Sequence, residues 1–260
     1  MLFASLGSGS RGNATVVRRG RTVLLIDCGF GLRAAEARLA ALGIAAAEIT
    51  AVLVTHEHTD HLHGVGPLAR RHNLPVWLTR GTHRAGAAAL GALPACHYLC
   101  GDAPVEIGDL ACLPVTVPHD AREPVQYVIG DGASRLGILT DVGRITPHIV
   151  THFSDLDALL LEFNHDLDLL QAGSYPPALK ARIAGGYGHL SNPQSAAGLR
   201  ALAGPRLQHL VALHLSEQNN AVALARAEAA AALACPPEWV GVAAQDGGFP
   251  WREILPCPGV

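Results

Sequence analysis

Charge is scarce in these 260 residues: Asp, Glu, Lys and Arg together make up 16%. Hydrophobic residues make up 49%. The balance excludes a disordered chain and leaves enough apolar material for a sizeable core. No basic excess is present either. The formal net charge is −3, so the total does not mark a nucleic-acid binder, although a local basic patch would be invisible to it. No apolar run reaches the ~18 residues of a membrane span, and no membrane partner is expected. The opening Met1 to Gly7 is too short and uncharged to read as a signal peptide, so the expected location is the cytoplasm. No C-x-x-C pair occurs among Cys28, Cys96, Cys100, Cys112, Cys235 and Cys257. Cys28, Cys96 and Cys112 sit in or beside apolar runs and read as reduced core thiols, not a disulfide framework. Linkers and low-complexity segments are also missing, which predicts one domain over residues 1–260.

What is there reads first as strands. Leu2 to Ser5, Ala14 to Arg18 and Thr22 to Asp27 are short strands joined by Gly turns. Leu32 to Leu42 reads as a helix closed by Gly43. Ala51 to Thr55 is a buried strand, a helix ends at Arg70 and Arg71, and Pro75 to Leu78 is a strand. Turn signals at Gly108-Asp109 and Asp131-Gly132 predict hairpins over 105–117 and 125–140. Asp157 to Glu162 and Leu210 to Leu213 are later strands among helical segments. Trp239 to Ala243 and Trp251 to Ile254 read as a final hairpin. Helices interspersed with largely antiparallel strands suit an α/β fold, a four-layer αββα sandwich of two face-to-face sheets.

The strand at Ala51 to Thr55 runs straight into His56-Glu57-His58-Thr59-Asp60-His61. Imidazole and carboxylate suit Zn²⁺ and its first-row neighbours. His56 and His58 are two apart, so in extended backbone they point the same way. Asp60 and His61 come just past the turn and can face a second ion. Two such ions can clamp a scissile group and lower the pKa of a shared water. Three further polar residues each end an apolar run: His119 after 115–118, Asp141 after 136–140 and His214 after 210–213. Sites of layered α/β folds gather at such ends.

The order Asp27, H-x-H-x-D-H, His119, Asp141, His214 resembles the metallo-β-lactamase superfamily over nearly the whole chain. The resemblance implies that His56, His58, His119 and Asp141 hold one metal, and that Asp60, His61, Asp141 and His214 hold the other. It implies two divalent ions, zinc or manganese. Asp27 resembles the superfamily's structural aspartate, which would brace the metal loop by hydrogen bonds; a simple turn Asp before Cys28-Gly29 is the other reading.

More specific strings surround this set: Ser8-Gly9-Ser10-Arg11-Gly12-Asn13, Val117-Pro118-His119-Asp120-Ala121, Glu162-Phe163-Asn164-His165-Asp166, Gly188-His189-Leu190-Ser191-Asn192 and His214 to Asn220. Together they resemble the WalJ/YycJ branch, bacterial 5′-to-3′ DNA exonucleases or related phosphodiesterases. The resemblance implies phosphodiester hydrolysis with single-stranded or 5′-ended DNA as substrate. It also implies a proton-donating role for His189, as in the related ribonuclease Z group. Asp60, His189 and Glu162 are then the catalytic candidates, with Glu162 orienting His189. Ser8, Ser10, Asn13, Asn164, His165, Ser191 and Asn219 are the candidate substrate contacts. Each has a plainer reading beside it: a Gly/Ser turn at 8–13, a helix N-terminal His165, and Asn219 as the N-cap of a helix ending near Ala234. Phe163 departs from the branch, which usually has Ser there. Arg70, Arg71, Arg80 and Arg84 form either a basic track or a solvated helix face. A small cyclic-phosphate phosphodiesterase, a thioester or lactam hydrolase and a non-catalytic sensor of the same fold are the alternatives.

Overall fold

The structure, a computed structural model, describes residues 1–255; Cys257 lies outside them. Two seven-stranded sheets form the centre. The first contains β1 (Leu2–Gly7), β2 (Ala14–Arg19), β3 (Thr22–Ile26), β4 (Ala51–Leu53), β5 (Pro75–Thr79) and β6 (Ala95–Leu99). The second contains β7 (Val105–Ile107), β8 (Leu110–Thr116), β9 (Val125–Gly130), β10 (Arg135–Leu139), β11 (Ala158–Glu162), β12 (His209–Leu213) and β13 (Gly241–Val242). The last strand, β14 (Phe249–Glu253), returns to the first sheet and pairs with β1.

Alternation along the strands explains the layering. Leu24, Ile26 and Leu53 face inward and meet Tyr127, Ile129, Ile138 and Leu160 of the second sheet. Val23, Leu25 and Val52 face outward and meet Leu39 of α1 (Leu32–Ala41) and Leu68 of α3 (Val65–His72). Between these helices lies α2 (Thr59–Leu62), and α4 (Arg80–Leu90) follows β5. On the opposite side, Leu159 and Leu161 meet Ile149 of α5 (Pro147–His152) and Leu199 of α8 (Asn192–Leu202). Ala225 and Ala229 of α9 (Val222–Leu233) belong to the same layer. The short α6 (Leu167–Ala172) and α7 (Pro177–Ile183) precede α8. Three apolar interfaces between four layers make the αββα sandwich expected from the sequence. Each fully buried Leu or Ile contributes about 1.5–3 kcal/mol.

Three sequence expectations need correction. Antiparallel pairing does not dominate. In each sheet three pairings are antiparallel and three parallel, the parallel ones joining β3 to β6 and β10 to β13. Helical crossovers between successive strands force that direction. The final hairpin is also not formed: β13 lies parallel to β12 in one sheet, while β14 lies antiparallel to β1 in the other. Gly248 turns the chain between sheets at φ +57°, where a Cβ would come within 2.1 Å of Ser5 O. The helix expected to open at Asn219 and Asn220 instead has Ala221 at its N-cap, with no side-chain cap.

Candidate metal centre

The register of the parallel strands brings the polar residues together. Ile26 pairs with Leu53, Leu139 with Leu161, and Glu162 with Leu213. The residues that follow these positions therefore emerge at one edge, where open α/β sheets gather their sites. Asp27, Asp141 and His214 all take positive φ, at 61°, 46° and 52°. This sparsely populated backbone costs energy in non-Gly residues and clusters at sites that constrain it. Tyr127, buried between the sheets, donates its hydroxyl to Val54 O at 2.7 Å and ties the second sheet to the start of the His-rich loop.

Asp27 organises that loop. Its carboxylate accepts the Thr55 N–H and the Thr55 hydroxyl, both at 2.8 Å, and His61 Nδ1–H at 2.8 Å. A carboxylate only accepts, so His61 carries a proton on Nδ1, and Nε2 is the atom left to face a metal. Thr55 has spent its hydrogen on Asp27, so at 2.9 Å it must accept from His56 Nδ1–H. His56 Nε2 is then bare. His119 Nδ1–H donates to Gly188 O at 3.1 Å. Gly188 packs so close to α7 that a Cβ would lie 2.2 Å from the carbonyls of Arg182 and Ile183.

Donor atoms of His56, His58 and His119 lie within 4.8 Å of one another, as do those of Asp60, His61 and His214. Asp141 joins His56 and His61 in one such group and His214 in another. The arrangement fits divalent ions. Among the described residues His56 Nε2 and His214 Nε2 are buried without a hydrogen-bond partner, and His61 Nε2 lies 2.5 Å from Asp141 Oδ2. Orphaned buried polar atoms are expensive unless something else satisfies them. Electrostatics follow the packing. Burial, then the charge of His61, pushes the His56 imidazolium well below its ordinary range. Burial alone would raise the Asp141 carboxyl, but His214 and His61 outweigh it and hold it well below the carboxylate range. A separate group, Asp102, His148 and His152, gathers donor atoms at the surface.

Glu162 and His189 form a second unit. Glu162 is fully buried, and its Oε2 accepts the N–H groups of Val142 and Leu190 at 3.1 Å. Its Oε1 accepts His189 Nδ1–H at 2.7 Å, while Asp141 Oδ1 lies 3.2 Å from the same nitrogen. Nε2 of His189 makes no hydrogen bond among the described residues. Burial opposes the His189 charge, but Glu162 and Asp141 outweigh it and raise the imidazolium to about 9. Glu162 itself, despite its burial, is held down to about 2 by His189. A cavity of about 230 Å³ opens here, lined by Ser10, His58, Asp120, Tyr175, Arg182 and His189 among others. A larger one, about 700 Å³, lies between α5 and α8 and includes none of the metal-donor residues.

The seven metal candidates, Asp27, Glu162 and His189 thus converge. The candidate substrate contacts divide. Ser10 lines the cavity. Ser8 accepts the His214 N–H, and Asn13 donates to Asp60 Oδ2 and lies 3.0 Å from His61 Nε2, so both support site residues from inside. Asn164 donates to His214 O. Ser191 caps α8 in a capping box with Gln194, and Asn219 contacts Ser216. His165 is buried, with Nε2 unpartnered among the described residues. Phe163 is 0% exposed in the layer between the second sheet and its helices. It is a core side chain and does not face the cavity. Arg70 is spent on the carbonyls of Leu90 and Ala92, and Arg80 lies over the Tyr98 ring. Sequence reasoning missed Thr55, whose hydroxyl sets a tautomer. It also missed Tyr175 and Arg182, which have no telling spacing to the metal loop.

Comparison with known proteins agrees with this geometry. Residues 22–215 match the model of the beta-lactamase superfamily domain. The chain is 33% identical to exodeoxyribonuclease YycJ of Bacillus anthracis, over 86% of each chain. It is 32% identical to exodeoxyribonuclease WalJ of Streptococcus pneumoniae, over 86% of this chain and 84% of that one. The metallo-beta-lactamase fold protein YhfI of Bacillus subtilis superposes with a TM-score of 0.75 at 17% identity, covering 96% of this chain and 98% of the other. No helix among the described residues is long and apolar enough to cross a membrane. By its sequence, its two sheets and its His/Asp clusters, the chain belongs to the metallo-β-lactamase-fold hydrolases of the beta-lactamase superfamily.

Proposed function

We propose that this chain is a 5′-to-3′ DNA exonuclease that hydrolyses phosphodiester bonds with two divalent ions, zinc or manganese. The observation that carries the reading is His189, fixed by Glu162 at 2.7 Å beside the metal-donor cluster. The names of the related exodeoxyribonucleases support it. His56, His58, His119 and Asp141 would hold one ion; Asp60, His61, Asp141 and His214 would hold the other. When bound, such ions supply an activated water and neutralise charge on the phosphoryl group. The protein's own residues do the rest. Glu162 keeps the His189 proton donor facing the cavity, and His189 gives its proton to the departing alkoxide oxygen. The small cavity also suits a cyclic phosphodiester, which is the alternative. A single strand labelled at its 3′ end should shorten progressively from the 5′ side. Scattered fragments at once would mean an endonuclease. No DNA cleavage alongside good turnover of a cyclic phosphodiester would favour the alternative.

Metal content gives two further expectations. Elemental analysis of a His148→Ala, His152→Ala variant, which removes the surface cluster, should approach two equivalents per chain. One equivalent that does not rise on adding Zn²⁺ or Mn²⁺ would overturn the two-ion reading. Asp60→Ala should empty one position, while His56, His58 and His119 retain the other. Two filled positions with persisting activity would remove Asp60 from the ligand set.

A further inference from the structure

The cavity beside His189 has a wall that the reaction described above does not use. Tyr175, Leu179, Arg182 and Ile183 line it from α7 and the segment before it, opposite His58 and Ser10. Among the described residues lining it, Arg182 is the only guanidinium or ammonium group. Its side chain is 62% exposed, yet it is not loose: Nε donates to Asp120 Oδ2 at 2.5 Å. The two terminal nitrogens make no hydrogen bond or ion pair among the described residues.

Asp120 sits at the border of the metal centre. Its Oδ1 lies 3.5 Å from His119 Nε2 and 3.8 Å from His58 Nε2, and its backbone N–H donates to Tyr187 O at 2.9 Å. One carboxylate therefore holds Arg182 at a fixed distance from the metal-donor imidazoles. A guanidinium has five N–H donors in a rigid fork, and an acceptor on Nε leaves the terminal nitrogens to meet two oxygens of an anion. The half-buried ring of Tyr175 lines the same space, and its hydroxyl makes no hydrogen bond among the described residues. A phosphate fork and an aromatic face in one cavity match the two ends of a nucleotide.

We propose that Arg182 and Tyr175 form a nucleotide subsite beside the metal centre, Arg182 receiving a phosphate and Tyr175 stacking on the base, with Asp120 as the positioning residue for Arg182. The proposal deepens the phosphodiesterase reading, since it assigns the unit of substrate that the cavity takes.

Calorimetry of thymidine 5′-monophosphate binding to the metal-loaded protein tests it. Arg182→Ala should weaken binding about 10–100-fold, the span of a lost charge-assisted hydrogen-bond pair. Arg182→Lys should recover only part, because an ammonium lacks the fork. Tyr175→Ala should weaken thymidine monophosphate about tenfold and deoxyribose 5-phosphate hardly at all, since only the former has a base to stack. Metal content should stay at the wild-type level in all three. Binding within about twofold of wild type in Arg182→Ala would overturn the subsite, even if the protein cleaves DNA. Equal losses for both ligands in Tyr175→Ala would overturn the stacking role. If the wild-type protein binds the nucleotide in this manner but cleaves no DNA, the exonuclease reading fails and the subsite stands.

Discussion

Replacing His189 with Ala should slow cleavage of single-stranded DNA by about 10²–10⁴-fold, the usual span of general acid–base catalysis. The same variant should slow bis(p-nitrophenyl) phosphate hydrolysis far less. The difference lies in the leaving group. An alkoxide departs poorly unless protonated, whereas p-nitrophenolate is stable without help. His189 is suited to the donation because Glu162 accepts from Nδ1–H at 2.7 Å, leaving the opposite nitrogen for the cavity. Glu162→Gln should give a smaller loss in the same direction. Its amide carries no charge and no longer offsets the burial of the imidazolium, so the His189 pKa should fall from about 9. The alkaline limb of the rate profile, where the proton donor is lost, should then lie at a lower pH for Glu162→Gln than for the wild type. Equal losses on both phosphate substrates in His189→Ala, with metal lost as well, would make His189 a structural or metal-binding residue instead.

The metal loop was legible because its signal is contiguous and chemically rare: three imidazoles and two carboxylates in six residues after an apolar strand. His119, Asp141 and His214 were legible for a different reason. Each ends an apolar run, and the strand register then brings those ends to one edge. Pairing direction was not legible, since short buried strands such as Ala51–Leu53 look the same in parallel and antiparallel sheets. The last two strands misled because a Gly-rich turn between apolar runs also serves to cross from one sheet to another. Hydroxyl and amide roles were hidden too. Ser8 and Asn13 read as substrate contacts or as part of a Gly/Ser turn, yet they are 4% and 6% exposed and support His214, Asp60 and His61. Arg182 meets Asp120 across 62 residues, a contact that only the folded chain creates.

Asp27 gives the sharpest test of how the loop is prepared for metal, because two substitutions should fail in different ways. Asp27→Asn keeps an oxygen for the Thr55 N–H. Its amide nitrogen, however, can donate toward His61 Nδ1, where the carboxylate only accepts. His61 would then carry its proton on Nε2, the atom that faces Asp141 at 2.5 Å and that a metal requires bare. Metal affinity at the position proposed for Asp60, His61 and His214 should fall about 10–100-fold, the span expected when the partner of a ligating imidazole is lost. Asp27→Ala leaves His61 free to take either tautomer, so its metal loss should be the milder. Its stability loss should be the larger, because the Thr55 N–H, the Thr55 hydroxyl and His61 Nδ1 lose their shared acceptor inside the protein. One buried unsatisfied group costs about 1–3 kcal/mol. Chelator competition should therefore rank Asn as the more damaging change, and thermal unfolding of the metal-free proteins should rank Ala so. The same order in both measurements would mean that Asp27 acts only by holding the backbone turn, and that the tautomer of His61 is set elsewhere, for example by Asn13 at 3.0 Å from Nε2.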